Sequence, residues 1–249
     1  MAKTILITGA SAGLGAEMAR QFADLGHDLA LCARRMDRLE ALKAEIVGRH
    51  PDRRVEVRRL DVTDDDQVFE VFRAFQADFA TLDRIVVNAG LGKGARIGTG
   101  RYDANRQTAM TDFVAALCQT EAAMEIFRAQ NAGHLVMISS MSAVRGLPKT
   151  LTTYAATKAA VAHLTEGLRV EFHGKPLTFT VIYPGYIASE MNDKTEQHTP
   201  LLASTERGVR AMVAAIEKEK DHAFVPPLPW APLSVLMRHA PMPLFKRLV

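Results

Sequence analysis

Short apolar runs alternate with stretches of helical periodicity along almost the whole chain. Thr4-Ile5-Leu6-Ile7 precedes a glycine-rich turn and a helical pattern over 16–25. Leu29-Ala30-Leu31-Cys32 precedes a second helical pattern through Leu39, Leu42 and Ile46. Val55-Glu56-Val57 alternates toward Leu60, and Val68, Phe72 and Phe75 follow at helical spacing. Ile85-Val86-Val87 ends at Asn88-Ala89-Gly90, and a long helix is expected over 106–130. Leu135-Val136-Met137-Ile138 comes after the turn at Asn131-Ala132-Gly133, with another helix from about Thr153. Phe179-Thr180-Val181-Ile182 leads into Pro184-Gly185, a helix is expected over 205–218, and Phe224-Val225-Pro226 reads as an edge strand. Apolar, β-branched strands separated by helices predict a parallel sheet covered on both faces. Right-handed crossovers then make the fold α/β and doubly wound. No Pro/Gly/Ser linker divides residues 1–249, so one domain is expected, with a substrate lid and tail over 191–249.

Composition narrows the partners. A net charge of +3, with acids interleaved among the bases as at 34–40, gives no stripe for nucleic acid. Cys32 and Cys118 stand in apolar runs and read as buried thiols of a reducing, cytoplasmic compartment. No apolar run approaches the roughly 20 residues of a membrane span. The eight histidines show no metal-ligand spacing, so no metal is expected.

The first strand runs into Thr8-Gly9-Ala10-Ser11-Ala12-Gly13-Leu14-Gly15 and then a helix. Gly9 permits a sharp turn, Gly13 a close approach of backbone to a pyrophosphate, and Gly15 tight packing of helix on strand. The helix N-terminus offers unpaired N–H groups to phosphate. Where an NAD site commonly carries an acid after the second strand, this chain has Ala33 followed by Arg34-Arg35. A guanidinium suits a ribose 2′-phosphate, so NADP(H) is expected, with Arg34 the principal contact and Arg35 a helper. Tyr154 and Lys158 are four residues apart, on one face of a helix. A phenol is a poor acid–base group at neutral pH, and a nearby ammonium favours its ionised form.

In its Thr-Gly-x-x-x-Gly-x-Gly turn, its Asn-Ala-Gly strand end and its Tyr-x-x-x-Lys pair, the chain resembles the short-chain dehydrogenase/reductase family. The resemblance spans roughly residues 1–191 and implies a Rossmann-type sheet. It implies cofactor contacts at Gly9, Ser11, Gly13, Leu14, Gly15 and Arg34, and at Asp61 and Val62 beside the adenine. Asn88, Ala89 and Gly90 would lie along the ribose, Pro184, Gly185 and Ile187 against the nicotinamide, and Tyr154 and Lys158 would also touch the cofactor. It implies Ser140, fourteen residues before Tyr154, as the hydroxyl holding the substrate oxygen, so that Ser140, Tyr154 and Lys158 form the catalytic set. Ser142 is the rival and Ser139 the structural neighbour. The family's proton-relay asparagine falls on Asp112, and Asn105 lies seven residues too early for it. Ser189 replaces the usual threonine.

The expected function is interconversion of a ketone and a secondary alcohol, with a small carbonyl or alcohol substrate and Tyr154 passing the proton. The alternative is a non-catalytic sensor of NADP(H) on the same scaffold, a reading that Asp112 keeps open. Residues 192–202 read as part of a lid, and Tyr186 as a pocket residue or plain packing. The apolar, basic tail from Pro227 reads as a subunit interface of a homodimer or homotetramer, or as a pocket cover. Contact with a membrane surface is the less favoured reading.

Overall fold

The computed structural model describes residues 2–92, 94–188 and 201–248. Seven strands form one all-parallel sheet: β1 (Thr4–Thr8), β2 (Asp28–Ala33), β3 (Val55–Arg59), β4 (Arg84–Val87), β5 (Gly133–Ile138), β6 (Leu177–Pro184) and β7 (His222–Val225). Their order is β3-β2-β1-β4-β5-β6-β7. The order reverses at β1, which pairs with β2 on one side and β4 on the other. That switch opens a crevice beyond the C-terminal ends of β1 and β4.

Alternation along β1 sends Ile5 and Ile7 to one face and Leu6 to the other. The first face packs against α1 (Gly13–Asp24), α2 (Met36–Arg49) and α7 (Thr205–Glu217), through Met18, Phe22, Leu39 and Met212. The second packs against α3 (Asp65–Phe79), α5 (Ala115–Gln130) and α6 (Thr152–Glu171), through Phe72, Phe75, Phe127 and Val161. The inner strands β1, β2, β4, β5 and β6 are therefore largely buried on both faces, as their apolar runs predict, while the edge strands β3 and β7 are mostly half-buried or exposed. Asp64 caps α3 by accepting the Gln67 amide, and Ser204 caps α7 by accepting the Arg207 amide.

The helix expected over 106–130 begins earlier, as α4 (Tyr102–Ala109), and passes through a π turn (Met110–Val114) into α5. Its first turns escape an apolar periodicity search because their buried residues, Asn105 and Thr108, are polar. The last strand ends at Val225, not Pro226. Proline has no N–H for a ladder, and Pro226 instead precedes α8 (Pro227–His239). The tail thus folds as α8 and α9 (Met242–Leu248), which dock Trp230, Met237, Ala240 and Phe245 against Met141. Arg145 fastens this contact: its guanidinium donates to Met237 O at 3.0 Å and to Ala240 O, and lies 4.3 Å from the Phe245 ring centre.

Cys32 is buried and burial pushes its thiol up, whereas Cys118 is only half-buried, a correction to the expectation of two buried thiols. At the N-terminal ends of the strands, away from the crevice, lies a fully buried Arg84. Its Nε donates to His134 Nδ1 at 3.0 Å, and its guanidinium pairs with Glu217. His134 Nε2 meets Thr180 Oγ1 at 2.8 Å. His27, whose Nε2 is 3.4 Å from Glu217, and Arg84 together hold the Glu217 carboxyl down at about 2.

Candidate active site

The residues singled out in the sequence collect at the C-terminal ends of the strands. Thr8 closes β1, and its buried hydroxyl accepts the N–H groups of Asn88 (3.0 Å) and Ala89 (3.1 Å). Asn88 Nδ2 returns a bond to Thr8 O at 2.8 Å. These three bonds lock the end of β4 onto the glycine turn. Gly9 has φ +67°, and a Cβ there would stand 2.9 Å from Ala89 Cα. A Cβ on Gly15 would stand 2.5 Å from Gly9 O, so both positions admit only glycine at this spacing. Helix α1 then opens at Gly13 (φ +55°) with no side-chain cap from Ala12 and no acid in its first turn. Free amide N–H groups and no opposing carboxylate fit a dinucleotide pyrophosphate. Ser11 and Leu14 are half-buried in the same turn.

Both arginines after β2 are exposed. Arg35 reaches back over the turn, its Nε donating to Ser11 Oγ at 3.2 Å, so Arg35 rather than Arg34 is tied to the glycine turn. Arg34 lies close enough to Asp61 to act on its charge. Asp61 stands two residues past β3, and its Oδ1 accepts the Thr63 amide (3.1 Å) and hydroxyl (2.8 Å). Burial works against that carboxylate, but the Thr63 bonds with Arg34 and Arg59 outweigh it and keep Asp61 below its usual range. Val62 beside it is buried.

Strand β5 delivers three serines to different uses. Ser139 is buried and its hydroxyl donates to Lys158 O at 2.7 Å, a structural tie between β5 and α6. Ser140 is half-buried, in extended conformation at the start of the 3₁₀ turn Met141–Val144, and its Oγ accepts the Ser142 amide at 3.1 Å. The two hydroxyls of Ser140 and Ser142 are 3.0 Å apart. On α6, Tyr154 is half-buried, and the buried Lys158 holds its Nζ 5.8 Å from the Tyr154 ring centre. Lys158 Nζ also donates to Ile138 O at 3.1 Å, which aims the ammonium across the end of β5.

Asp112 lies in the π turn and is buried, with Oδ1 accepting the Leu91 amide at 2.6 Å. Its Oδ2 has no hydrogen-bond partner among the described residues. Burial pushes this carboxyl up, against the downward pull of Lys158 and of the Leu91 amide. Asn105 is used elsewhere: its Oδ1 accepts the Ala95 amide at 3.0 Å and so pins the loop after β4.

Beyond β6, Pro184 is buried, Gly185 half-buried, and Ile187 buried over Gly208, where a Cβ would meet Ile187 Cδ1 at 2.7 Å. The Trp230 indole covers Gly185 so closely that a Cβ there would lie 2.1 Å from the ring. Tyr186 is 47% exposed and packs edge-on to Trp230, with ring centres 5.5 Å apart. Ser189 and most of the expected lid, 192–200, lie outside the described residues. No spacing in the sequence announces that Trp230 meets Gly185 or that Arg145 meets the tail beside it. The one tryptophan in a proline-rich tail was the available signal.

The family model described as short chain dehydrogenase matches residues 3–200. A Mycobacterium tuberculosis protein described as an uncharacterized oxidoreductase is 51% identical over 243 residues, covering 98% of this chain and 96% of that one. Among solved structures, an NADPH-dependent 3-quinuclidinone reductase from Rhodotorula rubra is 26% identical with a TM-score of 0.76, covering 85% of this chain and 83% of that one. A Burkholderia phymatum short-chain dehydrogenase/reductase in complex with NAD shares the fold at a TM-score of 0.84 and 21% identity, over 98% of this chain and 95% of that one. With the Rossmann-type sheet, the glycine turn and the Tyr154–Lys158 pair in place, the chain belongs to the short-chain dehydrogenase/reductase family of oxidoreductases.

Proposed function

We propose that the protein is an NADP(H)-dependent oxidoreductase that interconverts a ketone and a secondary alcohol. The observation that carries this reading is the buried Lys158 ammonium 5.8 Å from the Tyr154 ring, with Ser140 at the end of the adjacent strand. When bound, the nicotinamide cofactor supplies or accepts the hydride at carbon. Gly9, Gly13 and Gly15 would hold its pyrophosphate at the N-terminus of α1, with Ser11 and Leu14 beside it. Asn88, Ala89 and Gly90 would face its ribose, and Asp61 and Val62 its adenine. Pro184, Gly185 and Ile187 would line the nicotinamide. The exposed Arg34, with Arg35 anchored on Ser11, favours the 2′-phosphate form.

In reduction, the Tyr154 hydroxyl gives its proton to the substrate oxygen as the carbonyl carbon gains hydride; in oxidation the phenol oxygen takes that proton back. Lys158 stabilises the negative charge that develops on the phenol oxygen. The Ser140 hydroxyl donates to the same substrate oxygen, where charge builds in the transition state. Ser142, 3.0 Å away, orients the Ser140 hydroxyl. The exposed Tyr186 ring, packed on Trp230 beside Gly185, suits a moderately apolar substrate.

Fluorescence titration with NADPH and NADH, followed by nicotinamide absorbance against a panel of ketones, tests the reading. Tighter NADPH binding with turnover that is lost in Tyr154→Phe supports it. Binding without turnover on any carbonyl would replace it by the cofactor-sensing alternative.

A further inference from the structure

The C-terminal helices have two unlike sides. Helix α8 turns Trp230, Ser234 and Met237 inward at i, i+4 and i+7, and Ala240 and Phe245 continue the buried line. Val235 and Leu236 lie on the opposite side of the helix, 61% and 46% exposed. Leu228, at the kinked start of α8, and Met242 and Leu244 on α9 are exposed as well. The cations beside them, Arg238, Lys246 and Arg247, are exposed, and the other exposed residues of 227–247 are prolines and His239. From 222 to 249 the chain has no acidic residue; Ser234 points inward, and the only other uncharged polar side chains are the exposed imidazoles of His222 and His239. A water-facing surface ordinarily mixes both signs of charge. Apart from His239, this one is built from apolar and cationic groups.

That composition selects among occupants. A second copy docked through a two-fold axis would set the face against itself. Arg238, Lys246 and Arg247 would then face a copy of the same segment, which carries no acidic side chain to answer them. Anionic headgroups over an acyl layer answer both features, since basic side chains reach phosphate while their stems and the neighbouring leucines enter the apolar boundary. Helix α8 has 13 residues, too few to span a bilayer, so the contact is lateral.

We propose that α8 and α9 form a platform that rests on an anionic lipid surface, with Leu228, Val235, Leu236, Met242 and Leu244 in the acyl boundary and Arg238, Lys246 and Arg247 on the headgroups. The inward side of the same helix covers Gly185 with Trp230, so the platform borders the candidate active site. An apolar substrate would reach that site from the lipid layer.

The test is flotation of the full chain with vesicles of phosphatidylcholine alone and of phosphatidylcholine with phosphatidylglycerol, at low and high salt. It needs neither cofactor nor turnover, so its outcome is independent of the proposed chemistry. The expected result is flotation with the anionic vesicles, weakened by salt. The triple variant Arg238→Glu, Lys246→Glu, Arg247→Glu should lose on the order of a hundredfold in partition. Leu236→Asp with Met242→Asp should abolish flotation at an unchanged near-ultraviolet circular dichroism spectrum. If either variant misfolds, the lipid and salt dependence of the wild-type chain decides alone. A wild-type chain that stays at the bottom of both gradients overturns the proposal. If the same leucine and methionine substitutions then break an oligomer seen by light scattering, the face is an interface between copies. Equal partition to both vesicle types, unmoved by salt, also overturns it.

Discussion

Asp112 and Lys158 close on the same glycine: a Cβ at Gly90 would stand 3.1 Å from Asp112 Oδ1 and 3.3 Å from Lys158 Nζ. The two side chains make no direct ion pair among the described residues, and Asp112 has spent its one hydrogen bond on Leu91. A carboxyl therefore stands next to the lysine where the family resemblance implies an amide.

This has a pH signature. Burial raises the Asp112 carboxyl above its unfolded value, so the native state keeps a proton that the unfolded chain releases. Stability attributable to this group is full below the ordinary carboxylate range, about pH 4, and falls as pH rises through the folded value. Asp112→Asn removes the loss. The variant should be more stable than the wild type at pH 7, with the gap closing toward pH 4, as read by urea midpoints. A less stable variant at pH 7 would mean that attraction between an ionised Asp112 and Lys158 dominates.

Tyr154→Phe removes the hydroxyl and leaves the ring against Lys158. Carbonyl reduction should fall by roughly 10²–10⁴ in kcat, while the NADPH dissociation constant changes little. A loss confined to KM would place the tyrosine in substrate binding only.

Arg34→Ala should weaken NADPH by roughly ten- to a hundredfold, the worth of charge-assisted bonds to a phosphate. NADH should be unaffected. Because Arg35 is the residue anchored on Ser11, the same measurement on Arg35→Ala decides which guanidinium carries the preference.

Trp230→Ala opens the space over Gly185 and empties the small core shared with Met141 and Phe245. A loss of about 3 kcal/mol is expected from a truncation of this size, measured by denaturant unfolding. Gly185→Ala should be costly in the wild type, since its Cβ would collide with the indole, and much less so in the Trp230→Ala background. Equal costs in the two backgrounds would show that the two residues are not coupled.

Acid stability should depend on Glu217. Its carboxyl is lowered to about 2, so its contribution is present above the ordinary value of 4.5 and is lost as pH falls toward 2. Glu217→Gln should cost about 2 kcal/mol at pH 7, discounted for its partial exposure, and little at pH 2. Arg84→Met should cost about 3 kcal/mol or more, because it strands a buried network around His134. Thermal melts across that pH range provide the check.

The sheet, the glycine turn and the Tyr154–Lys158 spacing are legible in the amino-acid order alone, because each is a local device. A strand buried on both faces must read as an apolar run. A phosphate-facing turn must carry glycine where φ is positive. Two side chains four residues apart on a helix must share a face. The helix through Asp112 was legible as a helix, but its first turns were not, since Asn105 and Thr108 bury polar groups on the inward side. Which groups meet across long separations in the chain is set by how the folded elements pack. Trp230 lands on Gly185, Arg145 holds the end of α8, Asp112 faces Lys158 past Gly90, and Arg84 finds Glu217. Such contacts depend on side-chain volume and on hydrogen-bond closure between elements that no periodicity links. Leucine at an inward position is written in the pattern, while the partner of a buried charge is chosen by the packing of the whole sheet.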